Sequence, residues 1–350
     1  MLKLVNKDVI GLDIGSHSVK TVHLSKSRNN WEVTSAAIDE ISPEGAGNPN
    51  RHQANTVRAI QNCLRIIQTK TKLTVCSVGG PEVAIRNFDF PMLQPEEMEK
   101  AVVLEAKQVC PFTTNDIVVD YNLIPNGSDR ARGYLVAVTS DLLNKKLRLS
   151  KEAHLNCALM DVDALAILNC FKEIEKPGNN HGIAVLNIGG RHTTLAVEGN
   201  NGLPFVRNLS YSGEEVIKLI AEQNSMTAED VRRTLAGEDN DIPPSVYDSL
   251  VEASLRLIGD IHKTIRFYGV QQNSFNIDRI LVCGGFSLFG RFMEFLNEHL
   301  PIKFELWNPF DKMQCHSQVL QGALLKNILR KNGPAMVVAA GLAMRSLYDA

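Results

Sequence analysis

The chain has 350 residues, of which 44% are hydrophobic and 22% charged, and its formal net charge is -2. This length predicts two domains with substantial cores, and the interspersed acidic and basic residues argue against nucleic acid as a partner. Seven cysteines without a C-x-x-C pair indicate reduced thiols, and no signal peptide or membrane-spanning apolar run is found, so we expect a cytoplasmic protein.

Short apolar strands separated by polar turns fill the first 80 residues. The pattern predicts strands over 8–14, 19–24 and 31–38, a helix over 53–68 and a further strand over 73–78. The first two strands are joined by the turn Gly15-Ser16-His17-Ser18, and the last strand is followed by Gly79-Gly80-Pro81. These elements are typical of one α/β lobe whose first strands are joined by tight turns into a small sheet.

The following segment, residues 81–134, predicts a small inserted α/β unit. Its expected elements are strands over 83–88 and 117–123 and a helix over 95–109, which opens with Pro95 and two glutamates. A strand over 134–139 and helices over 141–152 and 162–171 then return to the first lobe, and the polar break at 176–181 is the expected hinge between lobes.

The sequence then repeats its opening pattern. Residues 10–16 (IGLDIGS) align with residues 184–190 (AVLNIGG): each is an apolar strand that ends in a glycine turn and continues into a second strand. Two related halves of this kind form two α/β lobes that face each other across a cleft. Further on, the pattern predicts helices over 254–268 and 289–299, and a last helix over 335–344 that packs on the first lobe.

Glycine turns between strands can bind an anion, because backbone N–H groups converge and no Cβ blocks the approach. In the first turn Asp13 can hold a cation through water, Ser16 can donate to a phosphate oxygen, and Lys20 adds positive charge. The second turn offers similar donors without a matching carboxylate: Gly189, Gly190, Thr193 and Thr194. Each turn alone is also typical of an ordinary β-hairpin.

A third glycine turn follows the predicted strand Arg279–Cys283. Gly284 and Gly285 stand between this strand and a helix, a place where adenine and ribose can approach the backbone closely. Strand-glycine-helix turns also occur simply to pack a helix on a sheet. The two matching turns together with this third one favour a nucleotide site.

These motifs resemble those of the superfamily of actin, sugar kinases and DnaK-type chaperones: Asp13 to Lys20 its first phosphate motif, residues 186–194 its second, and Gly284-Gly285 its adenosine motif. Within that superfamily, Phe90-Pro91, the helix over 96–109, Pro111-Phe112, DVDALA at 161–166 and GLAMR at 341–345 resemble the PilM family. The resemblance covers nearly the whole chain. It implies an actin-like, duplicated α/β fold with ribonuclease H-like halves and an inserted subdomain of the FtsA and PilM type.

The resemblance also implies domain limits. The first lobe would comprise residues 1–80 and 135–178, with a helix of 334–350 returning to it, and the inserted subdomain residues 81–134. The second lobe would have a nucleotide-binding core of 179–212 and 275–333 and a helical subdomain of 213–274.

ATP and magnesium are the cofactors that the resemblance implies. Asp13 and Asn187 would be the magnesium positions, Asp13 through water, and Asp163 would position the hydrolytic water. The nucleotide would be bound by Asp13, Gly15, Ser16, Lys20, Gly189, Gly190, Thr193, Asp260, Lys263, Gly284 and Gly285. Two departures matter: Asn187 replaces the usual aspartate and Asp163 a usual glutamate, so we expect slow hydrolysis at most.

The implied partner is the cytoplasmic N-terminal tail of a PilN-type inner-membrane pilus protein, bound as an extended peptide between the first lobe and the inserted subdomain. The protein would be a scaffold of a type IV pilus machine, held peripherally at the inner membrane through partners. Whether it forms homo-oligomers is left open by the resemblance. Two alternatives stay open: a small-molecule kinase, for which no convincing base is found outside the nucleotide motifs, and an FtsA-like filament that tethers itself to membrane.

Overall fold

The computed structural model describes residues 4–348 apart from 6–7, 28–29, 46, 111, 113–115, 126–128, 178–181, 200–201, 238–241, 273–275, 316–318 and 346. The strands, in chain order, are β1 (Leu4–Val5), β2 (Ile10–Ile14), β3 (Ser18–Ser27), β4 (Asn30–Glu40), β5 (Leu73–Val78), β6 (Val83–Pro91), β7 (Ile117–Ile124), β8 (Arg130–Thr139), β9 (Asn156–Val162), β10 (Ile183–Ile188), β11 (Thr193–Glu198), β12 (Pro204–Leu209), β13 (Arg279–Cys283), β14 (Lys303–Leu306), β15 (Gln314–Cys315) and β16 (Leu347–Tyr348).

The α-helices are α1 (Pro49–Ile67), α2 (Pro95–Val109), α3 (Ser140–Glu152), α4 (Asp163–Glu175), α5 (Gly213–Gln223), α6 (Ala228–Ala236), α7 (Pro244–Gln272), α8 (Gly290–His299), α9 (Val319–Asn332) and α10 (Val337–Ala343). Short 3-10 helices span Gly285–Leu288, Pro309–Lys312 and Gly333–Met336. In the part of the chain described above, no helix is both long and apolar enough to cross a membrane.

Two sheets of the same topology form the two lobes. In the first lobe β2, β3 and β4 pair antiparallel, and β2 pairs on its other side with β5, which in turn pairs with β9, both parallel. In the second lobe β10, β11 and β12 repeat the antiparallel meander, and the parallel strands are β13 and β14. The duplication predicted from the repeated glycine turns is confirmed, as is the actin-like fold class.

The segment between β5 and α3 forms a small sheet of its own. Its strands lie in the order β6-β8-β7, all antiparallel, and α2 covers one face. Met98, Val102 and Ala106 recur at helical spacing on α2 and pack against Phe88 and Leu135 of the sheet. Because this core is separate from the cores of both lobes, the segment is a distinct unit attached to the first lobe through β6 and β8.

The C-terminal helix α10 is buried between the first-lobe sheet and α4. A Cβ built on Gly11 of β2 would lie 2.0 Å from the carbonyl oxygen of Ala339, and one on Gly341 would lie 1.9 Å from that of Ala166. Both glycines are therefore required by the close approach of backbones. The expected packing of this segment on the first lobe is what the structure has.

Three boundaries differ from the sequence analysis. The helix expected over 254–268 is part of the longer α7, and the helix expected over 335–344 is the 3-10 helix Gly333–Met336 followed by α10. The chain also returns to the first lobe before residue 334, because β15 pairs with β4 at the edge of the first-lobe sheet. With only two residues, β15 is too short to be recognised from the alternation of polar and apolar residues. Of the expected hinge at 176–181, residues 178–181 lie outside the described residues.

Candidate functional site

A cavity of ≈ 880 Å³ lies between the two lobes. The turn after β2 forms one wall, the turn after β10 the opposite wall, and the turn after β13 one end. Residues from α1, α3, α4, α5, α6 and α10 also line it. The predicted site residues that line it are Asp13, Gly15, Ser16, Lys20, Asp163, Asn187, Gly189, Gly190, Gly284 and Gly285.

The two facing turns have the same backbone geometry. The Gly15 N–H donates to the carbonyl oxygen of Ser18 and the Gly189 N–H to that of His192, each at 3.1 Å. The turns also contact each other, because a Cβ on Gly190 would lie 2.5 Å from the Ser16 hydroxyl oxygen. The duplicated sequence thus places two equivalent glycine turns face to face.

Two lysines lie beneath the first turn. Lys20 Nζ is 3.3 Å from Asp13 Oδ2, and the two side chains are only 12% and 13% exposed. Lys146 of α3 donates to the carbonyl oxygen of Ile14. Burial lowers the pKa of Lys146, while the carboxylates of Asp163 and Asp13 oppose that shift. Sequence reasoning missed Lys146, since nothing separates it from its neighbours in the run NKKLR.

Asp163, the first residue of α4, faces His192 from the second lobe. Its Oδ2 atom lies 3.5 Å from His192 Nε2. Burial raises the pKa of the Asp163 carboxyl, but hydrogen bonds from His192 and Ser77 and the charges of His192 and Lys146 outweigh it and hold that pKa below its ordinary value. The carboxylate is therefore ionised at neutral pH.

The glycines that follow β5 make room for this pair. A Cβ on Gly79 would lie 2.1 Å from Asp163 Oδ2, and one on Gly80 would lie 3.2 Å from His192 Nδ1. The sequence predicts that His192 is an exposed turn residue, but in the structure its side chain contacts Asp163 across the cleft. The sequence feature that could have indicated this contact is the Gly-Gly pair after β5, because two residues without side chains leave space for a side chain of the other lobe.

Asn187 and Gly284 meet at the end of the cavity. The Cys283 S–H donates to Asn187 Oδ1 over 3.8 Å, and Asn187 is 8% exposed. Gly284 has φ of +95°, and a Cβ there would lie 2.4 Å from the Ile188 carbonyl oxygen. Only glycine suits this position. Around Gly285 nothing lies within 4 Å of a built Cβ, so the backbone there is open to a ligand.

Three predicted site residues do not line the cavity. Thr193 is fully buried in β11, and its hydroxyl has no hydrogen-bond partner among the described residues. Asp260 and Lys263 pair with each other over 3.8 Å on α7, and the Lys263 side chain is 83% exposed. Their contact with the nucleotide, like the roles of the residues that do line the cavity, stays a prediction.

The residues present fit a nucleotide with magnesium. The turns supply backbone donors for phosphates, and Lys20 and Lys146 supply positive charge. Asp13 and Asn187 each bring a side-chain oxygen to the cavity, a small set that would suit Mg²⁺ because this ion keeps several of its waters. The cavity volume also lies within the range of about 300–1,000 Å³ that is usual for small-ligand sites.

The duplicated sheets and the cleft between them define an actin-like two-lobed protein. Two solved structures share this fold at 12% identity: EutJ, the ethanolamine utilization protein of Carboxydothermus hydrogenoformans, with a TM-score of 0.56 over 98% of this chain and 92% of that one, and a glycerol dehydratase reactivase, with 0.53 over 96% and 99%. The model of the family "Type IV pilus assembly protein PilM" matches residues 11–347. The chain belongs to the PilM family.

A solved chain of a PilM-PilN type IV pilus biogenesis complex is similar over its whole length. Its TM-score is 0.80 at 23% identity, and the match covers 97% of this chain and 99% of that chain. The family resemblance read from the sequence motifs is thus confirmed.

Proposed function

We propose that this protein binds Mg-ATP between its lobes and serves as a scaffold of a type IV pilus machine, at most a slow ATPase. The observation that carries the nucleotide part is the pair of equivalent glycine turns facing each other across the cavity. In this proposal the turns hold the phosphates, Lys20 contacts them, and Asp13 and Asn187 hold magnesium and its waters. The Gly284-Gly285 turn receives the adenosine.

The proposed partner is the cytoplasmic N-terminal tail of a PilN-type inner-membrane protein, which would keep the scaffold in the cytoplasm beside that membrane. Support comes from the family and from the similar chain solved in a complex with PilN. A second cavity of ≈ 330 Å³ lies between the start of β6, the first lobe and the second-lobe strands β11 and β12, and its apolar lining includes Val83, Val162 and Val206. Such pockets suit the apolar anchors of an extended peptide.

Reversing the charge at the rim of this smaller cavity should weaken tail binding. Arg86 lines it, so we expect Arg86→Glu to lower the affinity for a synthetic tail peptide by about tenfold. Lys107→Glu on α2 is the matched control, since Lys107 is exposed and does not line the cavity. Fluorescence anisotropy with the labelled peptide, with and without ATP, measures both effects. Equal losses in the two variants would place the tail elsewhere.

Asn187 predicts slow turnover. If the missing carboxylate limits hydrolysis, Asn187→Asp should accelerate single-turnover hydrolysis and change ATP affinity much less, because backbone donors bind the ground state while metal and water alignment act in the transition state. Asn187→Ala, which removes the ligand atom, should bring no acceleration.

Rapid-quench measurements of phosphate formation in a single turnover test this expectation. Wild-type turnover at the roughly 1–100 s⁻¹ of kinases would overturn the slow-ATPase proposal. If Asn187→Asp changes nothing, the limiting residue would instead be Asp163, whose side chain is one methylene shorter than the glutamate expected from the superfamily.

A further inference from the structure

His17, in the first-lobe turn, contacts three parts of the second lobe. Its Nδ1 atom lies 3.0 Å from Glu214 Oε1, on the first turn of α5, and its Nε2 atom lies 3.1 Å from Arg232 Nη2 of α6. A Cβ on Gly190 would lie 2.6 Å from the same imidazole. His17, Gly190, Glu214 and Arg232 all line the large cavity.

The hydrogen bonds fix the tautomer of His17. A guanidinium only donates, so Nε2 must accept from Arg232, and the proton sits on Nδ1. The Nδ1–H can donate to Ser16 Oγ, 3.1 Å away, and it faces the Glu214 carboxylate at 3.0 Å. Burial lowers the pKa of His17, the charges of Arg232, Arg191 and Lys20 lower it further, and Glu214 opposes them. The imidazole is therefore neutral at neutral pH, as the contact with Arg232 requires.

We propose that His17, Glu214 and Arg232 form an interlobe latch that closes the mouth of the cavity and sets how long a nucleotide stays bound. The three side chains line the cavity and join the turn beside Ser16 to α5 and α6, so the lobes cannot separate at this point without breaking their contacts. His17 and Arg232 are positioning residues in this role. The proposal rests on nucleotide binding as the proposed function.

Arg233 provides a matched control for Arg232. It is the next residue on α6, but its guanidinium pairs with Glu229 and Asp230 of its own helix. Stopped-flow chase of a fluorescent ATP analogue should show dissociation about three- to tenfold faster for His17→Ala and Arg232→Ala, as expected for the loss of one hydrogen bond to a charged or neutral partner. Arg233→Ala should dissociate like the wild type.

A double-mutant cycle separates the latch from independent effects. If the two side chains act through their mutual contact, His17→Ala should have a smaller effect once Arg232 is alanine, because only the contact of His17 with Glu214 is then left to lose. The coupling should also be lost as the pH falls through the pKa of His17, which lies below its ordinary value, because protonated His17 can no longer accept from Arg232. Additive rate effects, or a coupling that persists in acid, would overturn the latch.

A readout without nucleotide keeps this test separate from the proposed function. The same cycle on the urea midpoint of the free protein should show a non-additive shift for His17 with Arg232 and an additive one for His17 with Arg233. A wild-type protein that binds no nucleotide but shows this coupling would refute the nucleotide proposal and the residence-time role, leaving the contact itself. If the protein binds nucleotide and neither assay shows coupling, the latch alone is refuted.

Discussion

Replacing Gly341 by alanine is expected to lower the free energy of unfolding by about 2–3 kcal/mol. The added Cβ would lie 1.9 Å from the carbonyl oxygen of Ala166 and 3.2 Å from its Cα, so α10 and α4 must move apart. Separating two buried helices opens the first-lobe core, a cost typical of overpacking. Urea denaturation followed by circular dichroism measures it.

Gly259→Ala is the matched control, because Gly259 also lies within a helix, α7, and nothing is within 4 Å of a Cβ built there. Since glycine is a poor helix former, this variant should be about 0.5–1 kcal/mol more stable than the wild type. The same chemical change thus has opposite expected signs at the two sites. If Gly341→Ala proved as stable as Gly259→Ala, the close packing of α10 on α4 would be wrong.

Removing the charge of Lys20 should lower ATP affinity by about ten- to a hundredfold. Lys20→Met keeps much of the buried stem but loses the ammonium group, and a charge-assisted contact to phosphate contributes about 1.5–3 kcal/mol. Asp13→Ala should also weaken binding, because it removes the proposed magnesium position. Isothermal titration with Mg-ATP gives both affinities, and circular dichroism confirms that each variant is folded.

Lys218→Met serves as the control for Lys20→Met. Lys218 lies on α5, its side chain is 76% exposed, and it pairs with Glu222 on the same helix. Its loss should leave ATP affinity unchanged. If Lys20→Met and Asp13→Ala also bound Mg-ATP like the wild type, the assignment of the first turn to the phosphates would have to be abandoned.

The fold was predictable because its signals are local. Each glycine turn and each alternating strand is visible within a short stretch of sequence, and so is the motif that is repeated at the start of each half. The packing of α10 follows from its small apolar residues. What escaped prediction depends on pairing across long distances. The two residues of β15 carry no periodicity, and their place beside β4 is set by the tertiary fold.

The residues of the cavity can likewise be divided into those that local sequence patterns predict and those that only the tertiary fold brings together. Asp13, Gly189 and Gly284 belong to turns that the sequence marks, and the structure brings these turns together. The contacts of His192 with Asp163 and of His17 with Arg232 join opposite lobes, so neither follows from spacing along the chain. Which polar residues meet across a cleft depends on how the lobes are oriented, and no local pattern encodes that.

The burial of α10 also sets an order of events for a chain leaving the ribosome. The buried cluster of the second lobe draws on residues between Ala184 and Phe304, so it can form as soon as they emerge. The cluster around α10 combines Val9 and Val22 of the first-lobe sheet with Val337 and Leu342, and it also includes Val185 and Leu281 from one face of the second-lobe sheet. Although synthesised first, the first lobe must wait with its apolar sheet face uncovered, and such a face is a natural substrate for chaperones. We therefore expect nascent chains arrested before α10 to contain a folded second lobe beside an unfinished first one.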